Sequence, residues 1–286
     1  MNGPVSRRFV DGRLHLQHGP IDCIVDAFGE RDEVETAYVQ ATRHFEGLLP
    51  SLVKELEVLR SPVGAAYPLV RGTVARRMVA AVWPHRENFI TPMAAVAGAV
   101  AEDLLEAMLL GRKLDKAYVN DGGDIAIHLG GYAEFDVGIA PDPNLAVLDG
   151  GLKLQCADPV RGIATSGWRG RSQSLGIADA VTVLAGTAAA ADAAATVIAN
   201  AVNVDHPAIR RLPARAVKED SDLGDLPVTL EVGRLPAAAI DAALDAGLRA
   251  ARDLRERGLI VDAWLSLDGH WRTVVEKKPF VLRAQC

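Results

Sequence analysis

The sequence predicts an α+β fold in which antiparallel sheets pack against helices. Strand-like and helix-like segments come in separate groups, which disfavours a doubly wound parallel sheet. Asp-Gly pairs typical of tight hairpins stand near both ends of the chain, at Asp11-Gly12 and Asp268-Gly269. No repeat of fixed period and no sharp break in composition marks a linker. We therefore expect one compact domain over residues 1–286.

The first hundred residues predict a hairpin, a strand and three helices. Residues 7–17 read as the hairpin and residues 21–29 as the strand. Helical periodicity covers residues 31–60, where Pro50 is expected to split the helix in two. A second helix is predicted over 72–83. The third, over 93–110, has one apolar stripe and a stop at Gly111; the stripe consists of Met93, Val96, Val100, Leu104 and Met108.

The second half predicts strands, two helices and a closing hairpin. Glycine turns separate three strands within residues 116–144. An alanine-rich helix is expected from Ala188 to Ala201 and a longer one from Pro236 to Arg257. Residues 206–227 between them are predicted to be irregular and polar.

Composition and charge exclude several classes of protein. The chain is 49% hydrophobic and 24% charged, as in ordinary globular proteins, and its net charge of −6 argues against nonspecific nucleic-acid binding. The longest apolar stretch contains three acidic residues (Glu102, Asp103 and Glu106), so a membrane span is not expected. The first residues lack the apolar segment of a secretion signal, and a cytoplasmic location is expected. Three cysteines without CxxC spacing indicate neither a disulfide framework nor a zinc site.

Three polar segments could carry chemistry. In the alanine-rich helix, Asp192 and Thr196 are four residues apart, so both project from one face. A carboxylate and a hydroxyl on a smooth face suit Mg²⁺, which takes oxygen ligands and keeps several waters. The plain alternative is that Asp192 favours the helix dipole and that Thr196 is a core hydroxyl. Spacing alone favours this alternative.

The second segment is a glycine pair between carboxylates, and the third is a polar loop. Asp121 and Asp124 bracket Gly122-Gly123, where a ligand could approach the backbone closely; a plain hairpin turn is the alternative. In the loop, hydroxyls, amides and two arginines could bind phosphate oxygens, although a simple surface loop explains it equally well. The loop groups considered are Thr165, Ser166, Gly167, Arg169, Arg171, Ser172 and Ser174.

These segments, taken in order, resemble the ApbE-type flavin transferases, which move FMN from FAD onto a protein threonine with Mg²⁺. The resemblance covers residues 93–202 most strongly: Gly122-Gly123-Asp124, then Ala164–Gly167, then Ala191–Thr196 after a Val-Thr-Val strand. It implies that Asp192 and Thr196, with a backbone carbonyl near Ala94, bind Mg²⁺. It also implies a tunnel-type (T-fold-like) architecture with a duplicated unit, and FAD or another nucleotide as the ligand.

The departures from that pattern define two hypotheses. Ala97-Gly98-Ala99 stands where the family has a lysine-glycine-tyrosine run, and residues 168–179 lack the family's histidine and proline. The first hypothesis is a divergent bacterial ApbE-like enzyme that performs Mg²⁺-dependent phosphoryl or nucleotidyl transfer or hydrolysis. The second is a non-catalytic protein that binds a nucleotide or heterocycle. A scaffold role in a complex is the third alternative. The expected partner is a small molecule, and the expected oligomer is a homodimer.

Overall fold

The α+β class predicted from the sequence is confirmed. The computed structural model describes residues 3–139 and 150–275, so the predicted strand region at 140–144 lies outside the described residues. The strands are β1 Val5–Arg8, β2 Leu14–His18, β3 Ile21–Gly29, β4 Leu114–Asp121, β5 Asp124–Leu129, β6 Glu134–Ile139, β7 Gly150–Gln155, β8 Gly162–Ser166, β9 Ala180–Ala185, β10 Ile209–Pro213, β11 Pro227–Val232, β12 Asp262–Leu267 and β13 His270–Thr273. The helices are α1 Arg31–Val53, α2 Leu56–Leu59, α3 Thr73–Val82, α4 Val96–Leu109, α5 Ala188–Ala201, α6 Ala214–Val217 and α7 Ala237–Glu256.

The contacts divide the chain into two compact units. The first comprises Met1–Phe135, Leu154–Ala164 and Ala185–Ala193, and the second comprises Asp136–Lys153, Thr165–Leu184 and Ala194–Cys286. Strand β8 and helix α5 each begin in the first unit and end in the second. That one domain covers residues 1–286 stays a prediction.

In the first unit, strands follow the order β1-β2-β3-β4-β5-β8, with antiparallel neighbours. Helices α1 and α3 pack on α4, which itself covers β4 and β5. This arrangement follows from the sequence pattern, because the apolar stripe of α4 and the alternating apolar residues of the strands both turn inward. Fully buried side chains of this core include Leu16, Phe45, Met78, Leu104 and Met108.

In the second unit, β9, β12 and β13 form antiparallel neighbours, and α7 packs on β12 and β13. Its fully buried side chains include Ile177, Ile198, Leu244, Leu265 and Leu267. Strands β6 and β7 pair with each other, as do β10 and β11. The closing hairpin is confirmed: Asp268 and Gly269 have φ of 47° and 74°, as a two-residue hairpin turn requires.

Three local predictions need correction. Helix α1 continues through Pro50 to Val53, because Pro50 is exposed while Leu49 and Leu52 hold the helix on the core. The helix predicted from Met93 begins as a 3₁₀ turn, Pro92–Ala95, before α4. The segment 206–227 is not wholly irregular, since β10 and α6 lie within it.

The alanines of α5 do not form a free surface. Seven of the alanines in α5 are buried within the chain; they are Ala188, Ala189, Ala191, Ala193, Ala194, Ala195 and Ala199. Helix α5 therefore offers no exposed stripe of small residues to a second subunit, and the homodimer stays a prediction.

Candidate functional site

Asp192 lies in the first half of α5, and its carboxylate contacts the start of α4. Its Oδ2 accepts a hydrogen bond from the Gly98 backbone N–H at 3.1 Å. The residue keeps some solvent-accessible surface, yet protein atoms surround the carboxylate closely enough that lost hydration is the largest influence on its pKa. This burial, together with the negative charge of Asp121, raises the pKa of Asp192 to about 7, although backbone N–H groups of Gly98 and Ala97 act in the opposite direction. Near neutral pH, this carboxylate therefore favours a proton or a cation beside it.

Two glycines let backbones approach the first turn of α5 without side chains between them. A Cβ on Gly98 would lie 2.3 Å from the carbonyl oxygen of Ala188, and one on Gly162 would lie 2.2 Å from the Ala188 nitrogen. Real Cβ atoms do not approach other atoms so closely. Glycine at both positions therefore determines where α5 starts relative to α4 and β8, and hence where Asp192 stands in the first unit.

The first turn of α5 is capped by protein groups. Thr187 Oγ1 accepts a hydrogen bond from the Ala190 N–H at 3.2 Å, as the side chain of a helix N-cap does. Glu102 Oε1 accepts from the Ala189 N–H at 2.8 Å, and the same carboxylate pairs with Arg77 through Oε2 at 3.2 Å. Because protein oxygens already accept from the Ala189 and Ala190 N–H groups, neither group is available to bind an anion at the start of α5.

Gly122 and Gly123 form the two-residue turn between β4 and β5. Both have positive φ, 66° and 114°, a conformation in which glycine is favoured, and Asn120 Oδ1 accepts from the Gly123 N–H at 2.8 Å. The hairpin alternative therefore accounts for the glycine pair. Asp124 is half-buried at the start of β5, directly across the ladder from Asp121.

Asp121, which directly precedes the glycine turn, is the electrostatic neighbour of Asp192. It is only 4% exposed, and its Oδ1 accepts the Asp22 backbone N–H at 3.2 Å. The sequence signal was a carboxylate at the end of an alternating strand, on the inward side of the pattern. Its closeness to Asp192 depends on tertiary packing, because the two residues are 71 positions apart along the chain.

Thr196 and the backbone of Ala94 are the other two predicted metal ligands. Thr196 is half-buried one turn beyond Asp192 on α5, and Ala94 is half-buried in the 3₁₀ turn that precedes α4. Residues 3–139 and 150–275 contain no group of three or more His, Cys, Asp or Glu side chains arranged to hold a metal. A cation at Asp192 would therefore depend on one carboxylate, hydroxyl and carbonyl oxygens, and water. That oxygen donor set fits Mg²⁺ and does not fit a metal that prefers nitrogen or sulfur.

In the second unit, the Asp179 carboxylate accepts hydrogen bonds from the polar loop. The Oδ1 of Asp179 accepts hydrogen bonds from Arg169 Nε at 2.7 Å and Trp168 Nε1 at 3.1 Å, while Oδ2 accepts from the Asp268 N–H at 2.7 Å. The charge of Arg169 is therefore partly compensated within the protein. A Cβ on Gly167 would lie 2.4 Å from the Asp179 carbonyl oxygen, so this glycine serves close packing of the loop.

The hydroxyls of this loop differ in what they contact. Ser174 is buried, and its Oγ accepts from the Gly176 N–H at 3.2 Å and donates to Asn200 Oδ1 at 3.3 Å. Thr165 is exposed, with its Oγ1 2.9 Å from Thr182 Oγ1. Ser166 is half-buried and Ser172 is exposed. Thr165 and Ser172 are therefore the exposed hydroxyl-bearing residues of the predicted set, and the Thr165 hydroxyl also contacts Thr182.

We expect the metal-free protein to lose stability between about pH 4 and 7 because of Asp192. The folded-state pKa of Asp192, about 7, lies above its usual 3.8, so the folded state binds this proton more strongly than the unfolded chain does. The contribution of protonated Asp192 to the free energy of unfolding is complete below pH 4 and disappears as the pH rises through 7. Asp192→Asn should therefore raise the free energy of unfolding at pH 8 by about 4 kcal/mol in EDTA, with little effect at pH 4.

Urea unfolding at both pH values measures this effect. Glu219→Gln, which removes an exposed carboxylate, is the control and should change neither value by more than about 0.5 kcal/mol. An equal effect of Asp192→Asn at the two pH values would contradict the raised pKa.

Comparison with known proteins identifies the family. A family model described as "AbpE bacteria" matches residues 6–273, nearly the whole chain. The chain belongs to this family. The ApbE-like resemblance predicted from its motifs is thereby confirmed.

Relatives of this AbpE-family chain carry names without an activity. A UPF0280 protein of Methanothrix thermoacetophila is 42% identical over 123 residues, which cover 41% of this chain and 48% of the relative. A UPF0280 protein of Archaeoglobus fulgidus is 43% identical over 114 residues, covering 40% and 45% of the two chains. The chain thus spans about half the length of the curated relatives it matches.

Solved structures similar to this AbpE-family chain include flavin transferases at low sequence identity. A variant of the flavin transferase ApbE from Vibrio cholerae is 11% identical, with a TM-score of 0.49, and the match covers 95% of this chain and 97% of the other. The ApbE protein of Thermotoga maritima is 14% identical, with a TM-score of 0.49 and coverage of 94% and 96%. None of the helices in the described parts of the chain is long and apolar enough to cross a membrane.

Proposed function

We propose that this protein catalyses Mg²⁺-dependent transfer or hydrolysis at the phosphate of a flavin nucleotide or a related nucleotide. Asp192 provides the carboxylate ligand, Thr196 a hydroxyl and the backbone near Ala94 a carbonyl. The remaining predicted ligand contacts, at Gly122, Gly123, Asp124, Thr165, Ser166, Gly167, Arg169, Ser172 and Ser174, belong to the same proposal. A homodimer in the cytoplasm is also part of it.

The observation that carries the proposal is the environment of Asp192. Burial and the neighbouring charge of Asp121 disfavour a bare carboxylate there and raise its pKa. A bound cation lowers that electrostatic cost, and carboxylate, hydroxyl and carbonyl oxygens are the ligands that Mg²⁺ prefers. Family membership supports the same assignment, because Asp192 and Thr196 match the ApbE motif.

Each of the proposed site residues has a different role in such a reaction. Backbone N–H groups of Gly98 and Ala97 orient the Asp192 carboxylate, which would be the charged protein ligand to the cation. When bound, Mg²⁺ supplies a Lewis acid that withdraws charge from a phosphoryl oxygen. Thr165 and Ser172, the exposed hydroxyl-bearing residues, would donate hydrogen bonds to the anionic part of the ligand. Hydrolysis of FAD would break one pyrophosphate P–O bond, add water across it and release FMN and AMP.

A non-catalytic binding protein is the second candidate, and two observations favour it. Arg169 already contacts Asp179 at 2.7 Å, so part of its charge is not available for a ligand phosphate. Alanines flank Gly98, where ApbE-type transferases have a lysine and a tyrosine. Both features reduce the groups that could hold the ribityl phosphate during turnover.

Metal-stripped protein incubated with FAD, with and without Mg²⁺, distinguishes the two candidates. Chromatography should detect FMN and AMP only when Mg²⁺ is present, and Mg²⁺ alone should raise the melting temperature, since a ligand specific to the native state stabilises it. A thermal shift with FAD but no product would favour the binding protein. If Mg²⁺ produced neither FAD cleavage nor a thermal shift, the proposed metal site would be wrong.

A further inference from the structure

A cleft of about 540 Å³ opens in the second unit, and none of its residues belongs to the predicted site. Its volume is in the usual range for small-molecule sites. The lining consists of four aliphatic or proline side chains and three polar ones: Leu175, Val204, Leu226, Pro227, Asn203, Asp205 and Arg211. Because no aromatic ring lines it, the cleft lacks a surface on which a flavin or nucleobase would stack.

Asn203 positions the guanidinium of Arg211 in this cleft. Its Oδ1 accepts from Arg211 Nη2 at 2.5 Å and from the Val204 N–H at 2.9 Å, while its Nδ2 donates to the Leu175 carbonyl at 3.1 Å. A neutral amide thus orients Arg211 without cancelling its charge. In the described parts of the chain, no carboxylate lies within ion-pairing distance of Arg211, whereas the adjacent Arg210 pairs with Glu231 at 3.1 Å.

The strand that carries Arg211 is irregular at this point. The register of β10 against β11 shifts between Arg210 and Arg211, and such bulges redirect side chains, often next to binding sites. Across the ladder from Arg211 stands Thr229, which is only 6% exposed. Its Oγ1 has no hydrogen-bond partner among the described residues. Thr229 does not line the cleft, so the bulge and the Asn203 contact are what orient Arg211 there.

The opposite charges in the cleft indicate the kind of ligand. Arg211 can bind a carboxylate through charge-assisted hydrogen bonds. Asp205 is exposed at the same cleft and can accept hydrogen bonds from an ammonium group. The same cleft is also lined by Leu175, Val204, Leu226 and Pro227, which suit an aliphatic chain. We infer that the cleft binds an aliphatic zwitterion of the amino-acid type, either a free amino acid or a short peptide.

Calorimetric titration of the full chain with L-leucine and with the dipeptide leucylleucine tests this inference. At least one should bind with a Kd of about 1 mM or tighter. Arg211→Met should weaken binding about tenfold or more, and Arg211→Lys, which keeps the charge, should weaken it less. The matched control is Arg210→Met on the same strand, which should stay within about twofold of the wild type. Tighter binding of leucine would indicate a free amino acid as the ligand, and tighter binding of leucylleucine would indicate a short peptide.

The role of Asp205 has its own comparison. The analogue 4-methylpentanoate lacks the ammonium group and should bind the wild type about tenfold more weakly than leucine. In Asp205→Asn this difference should disappear. Absence of saturable binding of both zwitterions up to about 10 mM would overturn the inference. So would equal losses in Arg211→Met and Arg210→Met. The cleft shares no lining residue with the proposed Asp192 site, so failure here leaves the proposed function untouched.

Discussion

Asp192→Ala should reduce Mg²⁺-dependent product formation about a hundredfold or more, which corresponds to about 2.7 kcal/mol of transition-state stabilisation. The substitution removes the carboxylate that Gly98 orients, so the cation would lose its charged protein ligand. Single-turnover measurement of FMN release from FAD, at saturating Mg²⁺, gives the rate directly. A rate within about threefold of the wild type would contradict the role assigned to Asp192.

Two further variants separate lost chemistry from lost structure. Asp192→Asn preserves the shape of the side chain and its acceptor for the Gly98 N–H, but removes the charge, and it should lose as much activity as the alanine variant. Thr196→Val removes only the Thr196 hydroxyl and should reduce the rate of product formation about tenfold. Melting temperatures measured without metal confirm that each variant is folded. The same variants should lose the Mg²⁺-dependent thermal shift, a readout that requires no turnover.

Gly98→Ala should destabilise the protein by about 2–4 kcal/mol, although alanine is intrinsically the better helix former. The added methyl group would stand 2.3 Å from the Ala188 carbonyl oxygen and 2.8 Å from the Ala189 nitrogen, both of them backbone atoms that cannot rotate away. Helix α4 or the start of α5 must therefore shift. Because the Gly98 N–H binds Asp192, the shift should also weaken Mg²⁺ binding.

Gly47→Ala is the matched control, since both glycines lie inside helices. Gly47 is exposed in α1, and an added methyl group would meet nothing within 4 Å. Alanine there should stabilise the protein by about 0.5–1 kcal/mol, the usual gain in an exposed helix. Urea denaturation provides both free energies of unfolding. If Gly98→Ala were also stabilising, the close approach of α4 and α5 would be wrong.

Local sequence determined much of the secondary structure. The boundaries of β3 and α5 agree with the sequence prediction, because alternating apolar residues and a run of alanines after a capping threonine have few other solutions. The Asp268-Gly269 and Gly122-Gly123 turns followed from the conformations that only these residue types adopt readily. Family membership also followed from short motifs, because their order along the chain is specific even though each motif alone is not.

Tertiary packing decided the properties that local patterns could not express. Pro50 stays inside α1 because buried neighbours offset its lost hydrogen bond, a term absent from any local rule. The raised pKa of Asp192 arises from burial and from Asp121, which lies on a different element. The pairing of Arg169 with Asp179 and the cleft around Arg211 likewise depend on distances between segments. Sequence patterns therefore determined the α+β class and the motif residues, whereas burial and charge between distant segments determined the environment of each of those residues.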